Sequence, residues 1–324
     1  MNRRKFIQNS SFAVAAGSIL PMNLMSCATS PSVVDDTNFG VALFTLPKSL
    51  SEDFQGTLKM ISNLGYKELE FFGPYDYSSE VAKKNWGFAA EALGFSGSGY
   101  FGHSPSEAKM IMDDLGLKAP SIHCDLDTLQ ENMGGIAEAA HIMGHKYVGI
   151  AMIPEDMRKT LDDYKRTIDL FNKIGASAQA NGITFFYHNH GYGHQEMEGV
   201  VPFELLLKET DAELVKMQMD IFWFTAAGVD PIKILNANPG RFPLLHVKDM
   251  KEKKAFSGDG GNMQEWMGLF PYLTDAGQGV LPLQEILSAA KKNGAAHLFL
   301  EKDLTPAPED ALKVSIDHLR SLKI

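Results

Sequence analysis

The sequence predicts a closed (β/α)8 barrel, and two observations carry that expectation. After about residue 38, short strand-like runs alternate with helical stretches eight times. Eight strand-then-helix units within one domain suit a closed parallel barrel. No glycine-rich phosphate loop follows the first run, where Phe44-Thr45-Leu46-Pro47 stands instead, and this counts against a doubly wound nucleotide-binding sheet. A two-lobed periplasmic binding protein also alternates strands and helices and is the further competitor.

The elements follow in order. The first strand is read in FGVALF (39–44). Phe54, Leu58, Ile61 and Leu64 then form one helical face. Ser51 is placed to cap that helix, with Glu52 and Asp53 in its first turn and Gly65 ending it. KELEFF (67–72) is the second strand, and the stretch from Gly73 to Ser104 has room for a helix and a lid. Ser104-Pro105 opens a helix that stops before Leu115-Gly116. APSIHC (119–124) and KYVGIAM (146–152) are strands three and four, and a helix fills 160–181. ITFFYHNH (183–190), VKMQMDIF (215–222) and PLLHVKDM (243–250) are strands five to seven. A long connection with six glycines, 255–280, has the length of a loop that closes over substrate. Pro282 opens a helix ending near Asn293-Gly294, AHLFLEK (296–302) is strand eight, and 308–322 is the last helix.

The first 27 residues read as an export signal. Arg3-Arg4 resembles a twin-arginine pair, and the apolar stretch Phe12–Leu20 is too short to span a bilayer, which takes about 20 residues. Leu24-Met25-Ser26-Cys27 resembles a lipoprotein cleavage box, with Cys27 as the lipidated residue. Residues 28–37 then form a tether and 38–324 the barrel. Cleavage removes Arg3, Arg4 and Lys5 and no acidic residue, taking the formal charge from −10 to −13. That acidity, with no long basic block, argues against a nucleic-acid partner. Cys124 is left as the one side-chain thiol, so no intramolecular disulfide is expected. The expected location is the periplasm, free or held by lipid.

Catalytic groups of such a barrel sit at the C-terminal strand ends, and here those ends are rich in ligand-type residues: Glu68 and Glu70, His123, His188 and His190, Asp220, His246 and Lys248, and Glu301. Residues two apart share a strand face. His188 therefore points with Phe186, and His246 with Leu244, into the barrel. Converging imidazoles and carboxylates are costly to leave unpaired, and one divalent ion resolves the cost. The expected quartet is His188, Asp220, His246 and Glu301. It suits Mn²⁺, Zn²⁺, Co²⁺ or Fe²⁺ better than Ca²⁺, with Mg²⁺ also open. Glu70 and His123 stand between substrate contact and structural pairing. Lys248 stands between an acid or oxyanion stabiliser and a salt bridge. His190 is placed for proton transfer or substrate contact. His194 reads as a solvated loop residue.

YHNH (187–190), DIFW with AGVDP (220–223, 227–231), GRFPLLHVKDM (240–250), GQG (277–279) and FLEKD (299–303), in that order, resemble the sugar phosphate isomerase/epimerase superfamily of xylose isomerase-like TIM barrels, near its inosose dehydratase branch. The resemblance covers 39–303. It implies one divalent metal held at strands five to eight, with Asp220, His246 and Glu301 on the matching positions. The chain departs at strand five, where ketose epimerases of the family place a Glu and this chain has His188. That removes one of two exchanging glutamates and favours chemistry with one base and one acid. Glu196 is the alternative loop-borne ligand. Trp223 replaces a His found in many relatives, and its indole stands between a place in the core and an apolar platform for a sugar ring.

The function expected is a metal-dependent isomerase or epimerase acting on an unphosphorylated sugar or keto-sugar through an enediolate, with His190 or Glu301 as base. The alternatives are a lyase working by β-elimination and a non-catalytic sugar-binding lipoprotein. Phosphodiester cleavage, as in the related endonuclease branch, fits neither the acidity nor the export signal. The sequence leaves the sugar, the metal and any homo-oligomer open.

Overall fold

Eight parallel strands close on themselves in this computed structural model, which describes residues 38–324. They are β1 (Phe39–Ala42), β2 (Glu68–Phe72), β3 (Lys118–Cys124), β4 (Tyr147–Ile150), β5 (Thr184–His188), β6 (Val215–Asp220), β7 (Leu244–Val247) and β8 (His297–Leu300). Each pairs with its sequence neighbours, and β1 pairs with both β2 and β8, so no edge is left open. The (β/α)8 expectation holds. The export signal, the lipoprotein box and the tether lie outside the described residues. Among the described residues no helix is long and apolar enough to cross a membrane.

The helices start and stop largely for the reasons their sequences suggest. Ser104 and Glu107 form a reciprocal cap on Pro105–Asp114. Thr160 and Asp163 do the same for Leu161–Ala180. Gly65 ends Phe54–Leu64 in the left-handed region (φ 93°) that glycine tolerates best. One assignment is corrected. Asp53, not Ser51, caps Phe54–Leu64, accepting from the Gly56 amide at 2.9 Å. Ser51 belongs to a separate short helix, Pro47–Glu52, that Pro47 opens.

The barrel interior is a small apolar layer of Ala42, Phe186, Leu244 and Phe299, with Tyr147 against it. Phe186 and Leu244 therefore face inward, as parity requires. The layer closes because two strands carry glycine where rings need room. A Cβ on Gly149 would collide with the Phe186 carbonyl and ring, and one on Gly40 would meet the Phe299 ring. Below this layer His297 Nδ1 lies 2.8 Å from Glu68 Oε2. Glu68 thus belongs to the foot of the barrel. Above the layer the interior turns polar.

Between barrel and helices, His145 supplies a pH-dependent element of stability. It is buried, with Nδ1–H donating to the Ala119 carbonyl at 2.5 Å and Nε2 accepting from the Tyr100 hydroxyl at 3.0 Å. Burial pushes the imidazole down to about 4 from its ordinary 6.5, partly offset by the Ala119 carbonyl. A depressed histidine is neutral in the fold and charged in the unfolded chain. Its contribution is whole above pH 6.5 and lost as pH falls towards 4. The loss expected from this residue is about 3 kcal/mol. Urea unfolding of His145→Gln will show lower stability at pH 7 but a fall to pH 4 that is shallower by about that amount. An equally steep fall would show that His145 is not the titrating group.

Candidate active site

Glu70, in the middle of β2, organises the polar upper layer. Its carboxylate accepts from Ser121 Oγ (2.5 Å) and Gln218 Nε2 (2.8 Å), and His246 Nε2–H donates to Oε1 (2.5 Å). His123 Nε2 lies 3.2 Å from the same Oε1. Burial would raise this carboxyl, but His123 and His246 outweigh it and hold Glu70 well below the usual carboxylate range. Gln218 extends the network. Its Oε1 sits 2.7 Å from His123 Nε2 and 2.9 Å from His188 Nδ1. Each imidazole thus uses one nitrogen on the network, which fixes where its other nitrogen points.

His246 presents Nδ1 to the carboxylates of strands six and eight. Nδ1 is 3.9 Å from Asp220 Oδ2 and 2.6 Å from Glu301 Oε2. The short approach to Glu301 lacks hydrogen-bond alignment, and both His246 Nδ1 and Asp220 Oδ2 are buried without a hydrogen-bond partner. Burial opposes charge on His246, but Glu301 and Glu70 overcome it and raise the imidazole to about 10. Burial also raises the Asp220 carboxyl, against the pull of Lys248. The pocket favours a positive charge at Nδ1.

A divalent ion fits that demand. The donor atoms of Asp220, His246 and Glu301 lie within 4.8 Å of one another. Two atoms bound to one ion at about 2.1 Å can be at most about 4.2 Å apart, and both contacts of His246 Nδ1 meet that limit. Glu70, buttressing the far nitrogen, is the kind of carboxylate that orients a ligating histidine. His188, the fourth member expected, has Nδ1 on Gln218 and Nε2 4.0 Å from Asp220 Oδ2. It groups with His123 and His246 rather than with the three-residue set. Burial keeps His188 neutral, pushing it well below the ordinary histidine value, which suits a ligand or a neighbour of one. Glu196 is exposed and belongs to neither group.

His190 lies beside these groups, its ring 4.7 Å from that of His188 and 5.0 Å from Trp266. The chain turns sharply to place it. Asn189 donates to the Tyr192 carbonyl and accepts from the Gly191 amide, and Gly191 (φ 92°) passes where a Cβ would strike Phe256. His190 Nδ1–H donates to the Ala151 carbonyl at 2.6 Å. Nε2 is thereby the bare nitrogen, and no side chain among the described residues pairs with it. Burial and then Lys248 lower this imidazole to about 3, so it stays neutral.

Several expected substrate contacts are revised. Glu70 is buried within the histidine network and offers no free oxygen for a sugar. Lys248 is 1% exposed and claimed by three carboxylates, so it is not an open acid. Trp223, also 1% exposed, stacks on Phe256 with centroids 5.8 Å apart and has Lys248 Nζ 5.2 Å from its ring centre. It is a wall of the core and not a platform. His194 is wedged between Phe203 and Phe224 rather than solvated. His123, with its side chain 14% exposed, keeps access to the mouth. The connection after β7 brings Trp266 to 5.0 Å from the His190 ring and Phe256 to 5.8 Å from Trp223. Its helix Met263–Leu269 carries Trp266, whose Nε1–H is fixed to the Gly260 carbonyl at 2.7 Å. Sequence reasoning passed over Gln218, Ser121, Asp249 and Asp303. Asp249 accepts from the amides of Gly277, Gly279 and Leu281, which explains the GQG motif.

Comparison with known proteins settles the lineage. The family model described as xylose isomerase-like TIM barrel matches residues 58–322. The chain belongs to that family. It is 29% identical over 172 residues to an inosose dehydratase of Mesomycoplasma hyopneumoniae (strain 7448), covering 50% of this chain and 56% of that protein. The chain thus spans about half the length of the curated relatives it matches. A sugar phosphate isomerase/epimerase from Parabacteroides distasonis ATCC 8503 superposes with a TM-score of 0.67 at 21% identity, covering 90% of this chain and 96% of that one. A zinc-bound IolI protein gives 0.60 at 16% identity, covering 88% and 97%. At these identities the two structures speak for the xylose isomerase-like fold alone.

Proposed function

We propose that this xylose isomerase-like barrel is a divalent-metal-dependent lyase. It removes a hydroxyl or glycosyl group β to the carbonyl of an unphosphorylated keto-sugar. The observation that carries the reading is one bare imidazole nitrogen, His190 Nε2, beside a ligand set built for a cation. Asp220, His246 and Glu301 would hold the ion, with His188 next to them. A divalent ion there would polarise a carbonyl oxygen and a neighbouring hydroxyl as a Lewis acid. The inosose dehydratase relatives and the zinc in the IolI neighbour agree with this reading.

The chain's own residues account for the proton. His190 Nε2 takes the carbon-bound proton next to the carbonyl, while Nδ1–H stays on Ala151 and fixes the ring. The electron pair left behind forms the double bond as the β carbon–oxygen bond breaks. The His190 imidazolium then returns its proton to the departing oxygen, so one residue serves both half-steps. Trp223, Phe256 and Trp266 keep the His190 side of the mouth apolar, which limits loss of that proton to water. Arg158, committed to the Ile153 and Gly261 carbonyls, offers no phosphate grip.

Isomerisation is the second reading, favoured by the name of the Parabacteroides distasonis neighbour. It starts with the same proton transfer and differs only in where the proton returns. The same proposal places the mature protein outside the cytoplasm, on the strength of Arg3-Arg4 and the box at Cys27. An NMR time course in D2O over sugars and 3-keto-glycosides, with added Mn²⁺, tests the chemistry. Release of a leaving group with a new double bond is expected. Deuterium uptake without release would make the protein an isomerase. Binding with neither would leave a sugar-binding protein.

A further inference from the structure

A lysine among metal ligands is a rival for them. Lys248 Nζ lies 3.0 Å from Asp220 Oδ2, 2.8 Å from Glu301 Oε2 and 2.6 Å from Asp303 Oδ2. The first two oxygens are those that face His246 Nδ1. Asp303 stands apart. It follows Glu301 by two residues and reaches the ammonium, yet it is in neither group of candidate ligands. The three carboxylates are nearly buried, and so is the lysine.

We propose that Lys248 is a built-in counter-cation that competes with the divalent ion for Asp220 and Glu301, and that Asp303 decides the competition by giving the ammonium a partner of its own. The inference rests on the cation site proposed above. Without an ion, Lys248 neutralises a cluster that would otherwise be an uncompensated buried charge. With an ion, a single and a double positive charge are forced within a few ångströms in a poorly screened interior, and they repel. Asp303 relieves this repulsion because its carboxylate is the nearest of the three and is not needed by the ion. The ammonium can lean on it while Asp220 and Glu301 turn to the metal. Lys248 and Asp303 thus act on metal affinity in opposite directions, although neither is a ligand.

The test uses protein stripped by a chelator and dialysed, titrated with Mn²⁺ by calorimetry and melted with and without the ion. Lys248→Met, which keeps the stem against Trp223, is expected to melt roughly 10 °C lower without the ion. It is also expected to bind Mn²⁺ about tenfold tighter or more. Asp303→Asn is expected to bind about tenfold more weakly, because the lysine then rests on the ligand oxygens alone. Should Lys248→Met fail to fold, Asp303→Asn decides by itself. Unchanged affinity in either folded variant, with wild-type binding intact, overturns the inference and leaves the metal site standing. A folded wild-type protein that binds no Mn²⁺ removes the site, and this inference with it.

Discussion

Asp220→Asn is expected to fold and to lose the divalent ion proposed to bind beside His246. The two oxygens of Asp220 have separate tasks. Oδ1 accepts from the Phe222 and Trp223 amides at 2.9 and 3.0 Å, capping helix Ile221–Ala226. Oδ2 is the buried atom without a hydrogen bond that faces His246 Nδ1 and Lys248. Asparagine keeps the first oxygen and replaces the second by an amide that cannot ligate. The melting temperature should shift by only a few degrees, since the cap alone would be worth about 1 kcal/mol and is retained. Affinity for Mn²⁺ should fall at least about 100-fold, because even the residues behind a ligand cost 10- to 100-fold when changed. Activity should fall with it, by about 10³-fold or more. Calorimetry and metal analysis of the purified variant check this. Full occupancy at wild-type affinity would show that Asp220 is not a ligand.

His190→Gln should give the complementary result. Its metal content and melting temperature should match the wild type, because His190 lies outside both ligand groups and is partly exposed. Turnover should drop by about 10²- to 10⁴-fold, the usual span for losing a positioned base. Deuterium exchange at the substrate carbon should fall in parallel, which separates a lost proton transfer from a lost leaving-group step. A kcat within a few-fold of wild type would pass the role of base to another group, with Glu301 next in line.

Strand parity made much of this site legible. Phe186 and Leu244 fixed which face looks inward, and His188, Asp220, His246 and Glu301 followed at the strand ends. What parity cannot give is who meets whom across a closed barrel. Glu70 and His246 are 176 positions apart and touch only because β2 and β7, three strands apart in the closed ring, both turn these side chains into the lumen. Without that contact Glu70 stood undecided between substrate contact and structural pairing. Gln218 could have been found, since it precedes Asp220 by two on the same face, but glutamine is not a ligand type and drew no attention. Asp303 stayed hidden because its meaning depends on Lys248, a neighbour from another strand. Trp223 was read from its place after Asp220, yet its burial is decided by Phe256, from a loop with no periodicity to read. At helix Phe54–Leu64, Ser51 was read as the cap with Asp53 in the first turn, and the separate turn that Pro47 starts took Ser51 and left the role to Asp53.

The apolar disc of Ala42, Phe186, Leu244 and Phe299 has a consequence of its own. It works as an insulating floor, separating the Glu68–His297 pair beneath from the charged groups above. Solvent and substrate can approach those groups from one end only. Evolution, or an engineer, can therefore retune the foot of this barrel for robustness while its reactive end stays electrically undisturbed.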